Sequence, residues 1–183
     1  MTTALIVIDV QRALFETSPP PADAASVVAR INMLADRARA AGVPVIYVHH
    51  ESPGSALAHG QPGWELDPRL TPAQGDLRVR KTTPDSFLRT ALGQTLSDAG
   101  VTHLVICGYA TEFCVDTTVR RAAGLGLPVT LAADAHTTHD KPHAPGGQIR
   151  AHHNATLPAI SSFGVKIEAI PAADIIFSGG TAG

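Results

Sequence analysis

Three residues far apart in the chain are of types that could together run a nucleophilic hydrolysis: Asp9, Lys81 and Cys114. A cysteine supplies the nucleophile, an aspartate can take and return its proton, and a lysine charge favours both anions. Cys114 lies in the segment Val105-Ile106-Cys107-Gly108-Tyr109-Ala110-Thr111-Glu112-Phe113-Cys114-Val115-Asp116-Thr117. The apolar run Leu104 to Cys107 reads as a buried strand, Gly108 opens a tight turn, and Thr111 is placed to N-cap a helix from Glu112. Cys114 then falls in the first helical turn, where free backbone N–H groups and the helix dipole favour a thiolate. A depressed thiol pKa is expected there, with Lys81 adding to it. Cys107 sits inside the strand and reads as a small buried residue, and no disulfide between the two is expected in a reduced cytosol.

The elements around these residues decide whether they can meet. Ala4 to Val10 is a nearly continuous apolar run, as a strand buried on both faces requires, and Asp9 interrupts it near its end. Asp23 starts a helix with Val27, Ile31, Leu34 and Ala38 at helical spacing, ending at Gly42. Pro44 to His49 reads as a second strand, and His50 to Gly75 as a long Pro- and Gly-rich loop of the kind that forms lids or interfaces. Asp76 to Arg80 is a short third strand with Lys81 at its end. A helix is expected from about Asp85 to Ala99, a strand from His103 to Gly108, and its helix to Ala123. Pro128 to Ala133 is the fifth strand, followed by a polar His-rich loop, a helix from about Gly147 to Phe163, and a sixth strand, Val165 to Ile170.

This alternation predicts an α/β fold, one domain over residues 1–183, with a doubly wound parallel sheet and helices on both faces. The Gly-rich residues 178–183 read as a flexible tail. In an open parallel sheet the C-terminal strand ends share one rim, where ligands bind. Asp9, Lys81 and Cys114 should therefore converge there, at a rim expected to be open to water. Backbone N–H groups of the turn before the helix, that of Cys114 among them, are placed to hold an oxyanion.

Bulk properties narrow the function classes. The 183 residues are 44% hydrophobic and 16% charged with a formal net charge of −2, which gives no electrostatic footprint for nucleic acid or anionic membrane. No apolar run reaches the length of a membrane span, and Met1-Thr2-Thr3 leads straight into a strand, so a cytoplasmic location is expected. Neither GxGxxG after the first strand nor GxxxxGK[ST] is present, and no cofactor is expected. His136-x-x-His139-Asp140-x-x-His143 has metal-ligand types, but a loop setting favours solvated histidines. His152-His153-Asn154, on a helix, reads as a surface or subunit-interface feature. Gln11, Phe15, His49, Trp64 and Phe113 are candidates for the substrate pocket, with Phe87 beside them; Trp64 could equally cap a subunit interface. Asp134, at the end of the fifth strand, could orient the site or stabilise a turn.

Four segments carry a family resemblance: Ala4-Leu-Ile-Val-Ile-Asp9-Val-Gln11, Lys81-Thr-Thr-Pro-Asp-Ser-Phe87, Cys107-Gly-Tyr-Ala-Thr-Glu-Phe-Cys114-Val-Asp-Thr-Thr-Val-Arg120, and Ala133-Asp134-Ala135. The chain resembles the isochorismatase-like cysteine hydrolases, which include nicotinamidases, N-carbamoylsarcosine amidases, streptothricin hydrolase and isochorismate hydrolases. The resemblance implies an Asp9–Lys81–Cys114 triad, a sheet of order 3-2-1-4-5-6, and a cis peptide between Tyr109 and Ala110. It further implies an oxyanion hole from the amides of Ala110 and Cys114, and a homodimer or larger homo-oligomer. Nicotinamidases carry a metal site after the second strand, built on an Asp-x-His pair. Here that stretch reads His49-His50-Glu51, with His59 further on, which argues against both a metal and a nicotinamide substrate. The leading expectation is a cofactor-free cysteine hydrolase that cleaves a C–N bond of a small amide, lactam or carbamoyl compound through a thioester. The alternatives are isochorismate-type vinyl ether hydrolysis and a non-catalytic small-molecule binder of the same fold.

Overall fold

The computed structural model describes residues 2–177, so the expected tail at 178–183 lies outside the described residues. Six parallel strands form one sheet: β1 (Thr3–Ile8), β2 (Val45–His50), β3 (Leu77–Lys81), β4 (His103–Tyr109), β5 (Val129–Thr137) and β6 (Ile167–Ile170). Their order is β3-β2-β1-β4-β5-β6, so the chain winds outward from β1 in both directions. Every residue of β1 is buried, which explains its unbroken apolar run. Leu5 and Val7 face one core layer with Val27, Ile31, Leu34 and Ala38 of a helix, Ala24–Ala40. Ala4, Ile6 and Ile8 face the other layer, with Leu92 and Leu96 of the helix Leu92–Asp98 and Val119 of the helix Asp116–Gly124. In chain order the helices are α1 (Arg12–Phe15), α2 (Ala24–Ala40), α3 (Leu92–Asp98), α4 (Asp116–Gly124) and α5 (Gly146–Thr156).

Several elements depart from the expected bounds for local chemical reasons. The helix expected from Asp85 begins only at Leu92. Asp85 Oδ1 accepts the Phe87 amide (2.8 Å), Thr90 Oγ1 donates to the Ser86 carbonyl (2.6 Å), and Ser86 bonds Thr118. These side chains compete with helical backbone bonds and hold a turn instead. The helix after Gly147 ends at Thr156 rather than Phe163, because Pro158 cannot continue it. β5 runs to Thr137, four residues past the expected end. A register shift between Ile106 and Gly108 of β4 admits the extra residues and brings His136 opposite Gly108. Gly108, at φ +118°, passes so close to β1 that a Cβ would lie 2.1 Å from the Ile8 carbonyl oxygen; only glycine fits there.

Candidate active site

The three residues proposed for chemistry meet at the C-terminal rim. Asp9 follows the last residue of β1 with φ 51°, a left-handed turn, and its amide still donates to Val48 (2.9 Å). Lys81 ends β3, two strands away. Its Nζ donates to Asp9 Oδ2 at 2.7 Å, to Cys114 Sγ at 3.2 Å and to the Thr83 carbonyl at 3.2 Å. These three contacts are its shortest, and it bridges the carboxylate and the thiol. Asp9 Oδ1 is buried and has no hydrogen-bond partner among the described residues.

The site differs from expectation in two physical respects. The rim shields the three residues from bulk water: Asp9, Lys81 and Cys114 are 1%, 2% and 4% exposed. The thiol is consequently not acidic. Burial, then the Asp9 charge, push it up to about 12, and Lys81 offsets only part of this. The second difference lies in the turn itself. Thr111–Val115 is a π-helical turn that precedes α4, and Thr111 caps nothing; its hydroxyl lies 2.8 Å from His136 Nδ1. The peptide between Tyr109 and Ala110 is cis. The amides of Phe113 and Val115 both donate to the Ala110 carbonyl (3.0 and 3.1 Å), and the Cys114 amide between them does not share it.

A cavity of about 430 Å³ opens above the thiol, lined by Asp9, Leu14, His50, Leu57, Tyr109, Ala110, Glu112, Phe113, Cys114 and Lys141. Of the five expected pocket residues only Phe113 lines it. Phe15 is buried edge-on against Tyr109, beneath the wall. His49 is fully buried against Trp64, which in turn packs on His59. Trp64 thereby fixes the long 50–75 segment to β2 instead of capping the pocket.

Gln11 is also fully buried, and its amide is spent on the backbone: Nε2 donates to the carbonyls of His50 (2.9 Å) and Trp64 (2.8 Å), and Oε1 accepts the His50 amide (2.8 Å). It clamps His50, a cavity residue that sequence reasoning missed. The missed signal was register: His50 pairs with Lys81 across β2 and β3. Its Nδ1 is 3.4 Å from Lys81 Nζ, and an ammonium only donates, so the ring proton belongs on Nε2. Burial and the Lys81 charge lower the His50 pKa and keep the ring neutral.

The histidines from His136 onward separate. His136 turns inward, and His139 joins the Tyr109 hydroxyl (2.9 Å) to Thr17 (2.8 Å). Among the described residues no cluster of three or more His, Cys, Asp or Glu could hold a metal ion. Asp134 points away from the site, bonding Arg30 (2.9 Å) and the Ala172 amide (2.7 Å). Among the described residues no helix is long and apolar enough to cross a membrane.

Residues 3–158 match the isochorismatase-domain family profile. The chain belongs to the isochorismatase family. It is 40% identical over 176 residues to a streptothricin hydrolase of Streptomyces noursei, covering 92% of this chain and 68% of the relative. A second such hydrolase from the same organism is 39% identical, and the chain spans 62% of its length. A ureidoacrylate amidohydrolase of Caulobacter vibrioides is 32% identical over 175 residues, covering 73% of this chain and 76% of the relative. Among solved structures, an isochorismatase family protein superposes with a TM-score of 0.84 at 30% identity, covering 92% and 97% of the two chains. N-carbamoylsarcosine amidase of Thermoplasma acidophilum shares the fold, with a TM-score of 0.80 at 21% identity over 96% and 99% of the chains. The family and these relatives make the chain an isochorismatase-family hydrolase with amidohydrolases among its relatives.

Proposed function

We propose that this protein is a cysteine amidohydrolase that cleaves a C–N bond of a small amide, lactam or carbamoyl substrate through a thioester on Cys114. The observation that carries the reading is the Lys81 ammonium, hydrogen-bonded to Asp9 and to Cys114, both of which line one cavity. The ureidoacrylate amidohydrolases among its relatives support C–N chemistry.

The chemistry follows from a neutral thiol beside a charged carboxylate. Sγ attacks the carbonyl carbon while its proton passes to Asp9, so no free thiolate is needed before substrate arrives. The carbonyl π electrons move to oxygen, where the amides of Ala110 and Cys114 receive them. One such donor is worth about 3–4 kcal/mol in the transition state. Collapse breaks the C–N bond, and Asp9 returns the proton to the departing nitrogen. Water then attacks the thioester, giving its proton to Asp9; the carboxylic acid leaves and the thiol is regenerated. Lys81 neutralises the buried carboxylate throughout, and His50 offers an Nε2–H donor at the cavity wall. Leu14, Leu57 and Phe113 give the cavity an apolar side suited to a compact organic acyl group.

The test is a panel of small amides, lactams and carbamoyl compounds assayed for released ammonia or amine, with intact-mass detection of an acyl adduct on Cys114. Turnover that survives Cys114→Ala would exclude the thioester route.

A further inference from the structure

We propose that His136 is a positioning residue for this hydrolysis: through Thr111 it sets the turn that carries the Ala110 and Cys114 amides. The proposal rests on the thioester reading above. His136 is fully buried in the extension of β5, paired with Gly108 just before the catalytic turn. Its Nδ1 lies 2.8 Å from Thr111 Oγ1 and its Nε2 lies 2.9 Å from Asn154 Oδ1. Asn154 Nδ2 donates to the Ala133 carbonyl at 2.8 Å.

These bonds order every proton in the chain. A carbonyl only accepts, so Asn154 must present its NH₂ to Ala133 and its oxygen to His136. His136 Nε2 therefore carries hydrogen; burial keeps the ring neutral, so Nδ1 is a lone pair and the Thr111 hydroxyl donates to it. A neutral ring satisfies all of these bonds at once. Thr111 is itself fully buried and directly follows Ala110, whose carbonyl gathers the amides on either side of Cys114. The relay thus ties α5 and β5 to the peptide that holds the reacting oxygen. A histidine serving only the core would be one whose loss costs stability alone; the contact with the catalytic turn predicts a selective loss.

Two thiol reactions separate the possibilities. In acylation by p-nitrophenyl acetate, Sγ displaces p-nitrophenolate through a tetrahedral oxyanion, and the thiol proton passes to Asp9. Alkylation by iodoacetamide displaces iodide with no oxyanion. Thr111→Val is nearly isosteric and should fold; it should slow acylation about tenfold or more while leaving the alkylation rate of Cys114 within about twofold. Thr111→Ser should restore acylation. His136→Phe should match Thr111→Val, and the double variant should be no worse than either single one. Equal losses in both reactions, an unchanged acylation rate in Thr111→Val, or additive losses in the double variant would overturn the proposal. If the wild-type protein shows no acylation beyond that of Cys114→Ala, the thioester reading fails first and the positioning role falls with it. That outcome is distinguishable because it appears before any change at Thr111 or His136.

Discussion

Two cysteines seven positions apart, one within β4 and one in the turn after it, sit in surroundings that differ in what the proposed chemistry needs of a thiol. Both are buried, and burial raises the pKa of both. Cys107 lies in the apolar core, and among the described residues the one polar contact of its Sγ is the Ile6 carbonyl, at 3.6 Å. Cys114 has a lysine at 3.2 Å, an aspartate held by that lysine, and a cavity above it. Acidity at rest does not separate them. A proton acceptor and room for an electrophile do.

The largest expected effect breaks the comparison directly. Cys114→Ala should lower amide turnover by at least about 10⁴-fold with the fold retained. Cys107→Ala should keep turnover and lose about 1–2 kcal/mol of stability to a small cavity. Steady-state rates and denaturant unfolding of the two variants check this; a similar activity loss in both would erase the distinction.

Lys81 is next. Lys81→Met should cut turnover by about a hundredfold or more, because the base loses its partner and the thiol loses the one nearby charge that lowers its pKa. The pair is buried, so leaving Asp9 alone should also cost about 3–5 kcal/mol of stability. Asp9→Asn combined with Lys81→Met should recover much of that stability and none of the activity. A double variant as unstable as Lys81→Met would show that the ion pair is not the source.

Labelling sharpens the comparison at a smaller scale. Iodoacetamide should modify Cys114 before Cys107, which should wait for unfolding. Because Cys114 rests as a thiol, its rate should climb about tenfold per pH unit from neutrality to beyond pH 10. A plateau at neutral pH would reveal a resting thiolate and reverse the proton order proposed for the attack.

The smallest effect tests burial away from the thiols. His49 and His136 are lowered from 6.5 to about 4, chiefly by burial. Below about pH 6.5 the unfolded chain takes up protons that the folded chain refuses. Their stabilising contribution is therefore complete above about 6.5 and is lost as pH falls through about 4, by up to about 3 kcal/mol each. Thermal unfolding midpoints should decline across that window; a flat midpoint from pH 7 to 4.5 would show that these rings take up protons without unfolding.

Much of this molecule was legible in its sequence because covalent order controls short-range structure. The unbroken apolar run of β1 could only be a strand covered on both faces, and strand–helix alternation fixed the parallel sheet. Asp9 after β1, Lys81 at the end of β3 and Cys114 after β4 had to share a rim, because parallel strand ends lie on one side. Tertiary structure decided what neighbours across the sheet do to one another. It shielded the rim from bulk water and raised a thiol that its local position alone would make acidic. It turned Gln11, His49 and Trp64 into a clamp on the long loop and gave the cavity His50 in their place. It also drew His136 and Asn154, 18 residues apart, behind the turn that carries Cys114. Solvation and hydrogen-bond pairing depend on which distant segments exclude water around a group, and residue order carries that only once the chain has packed.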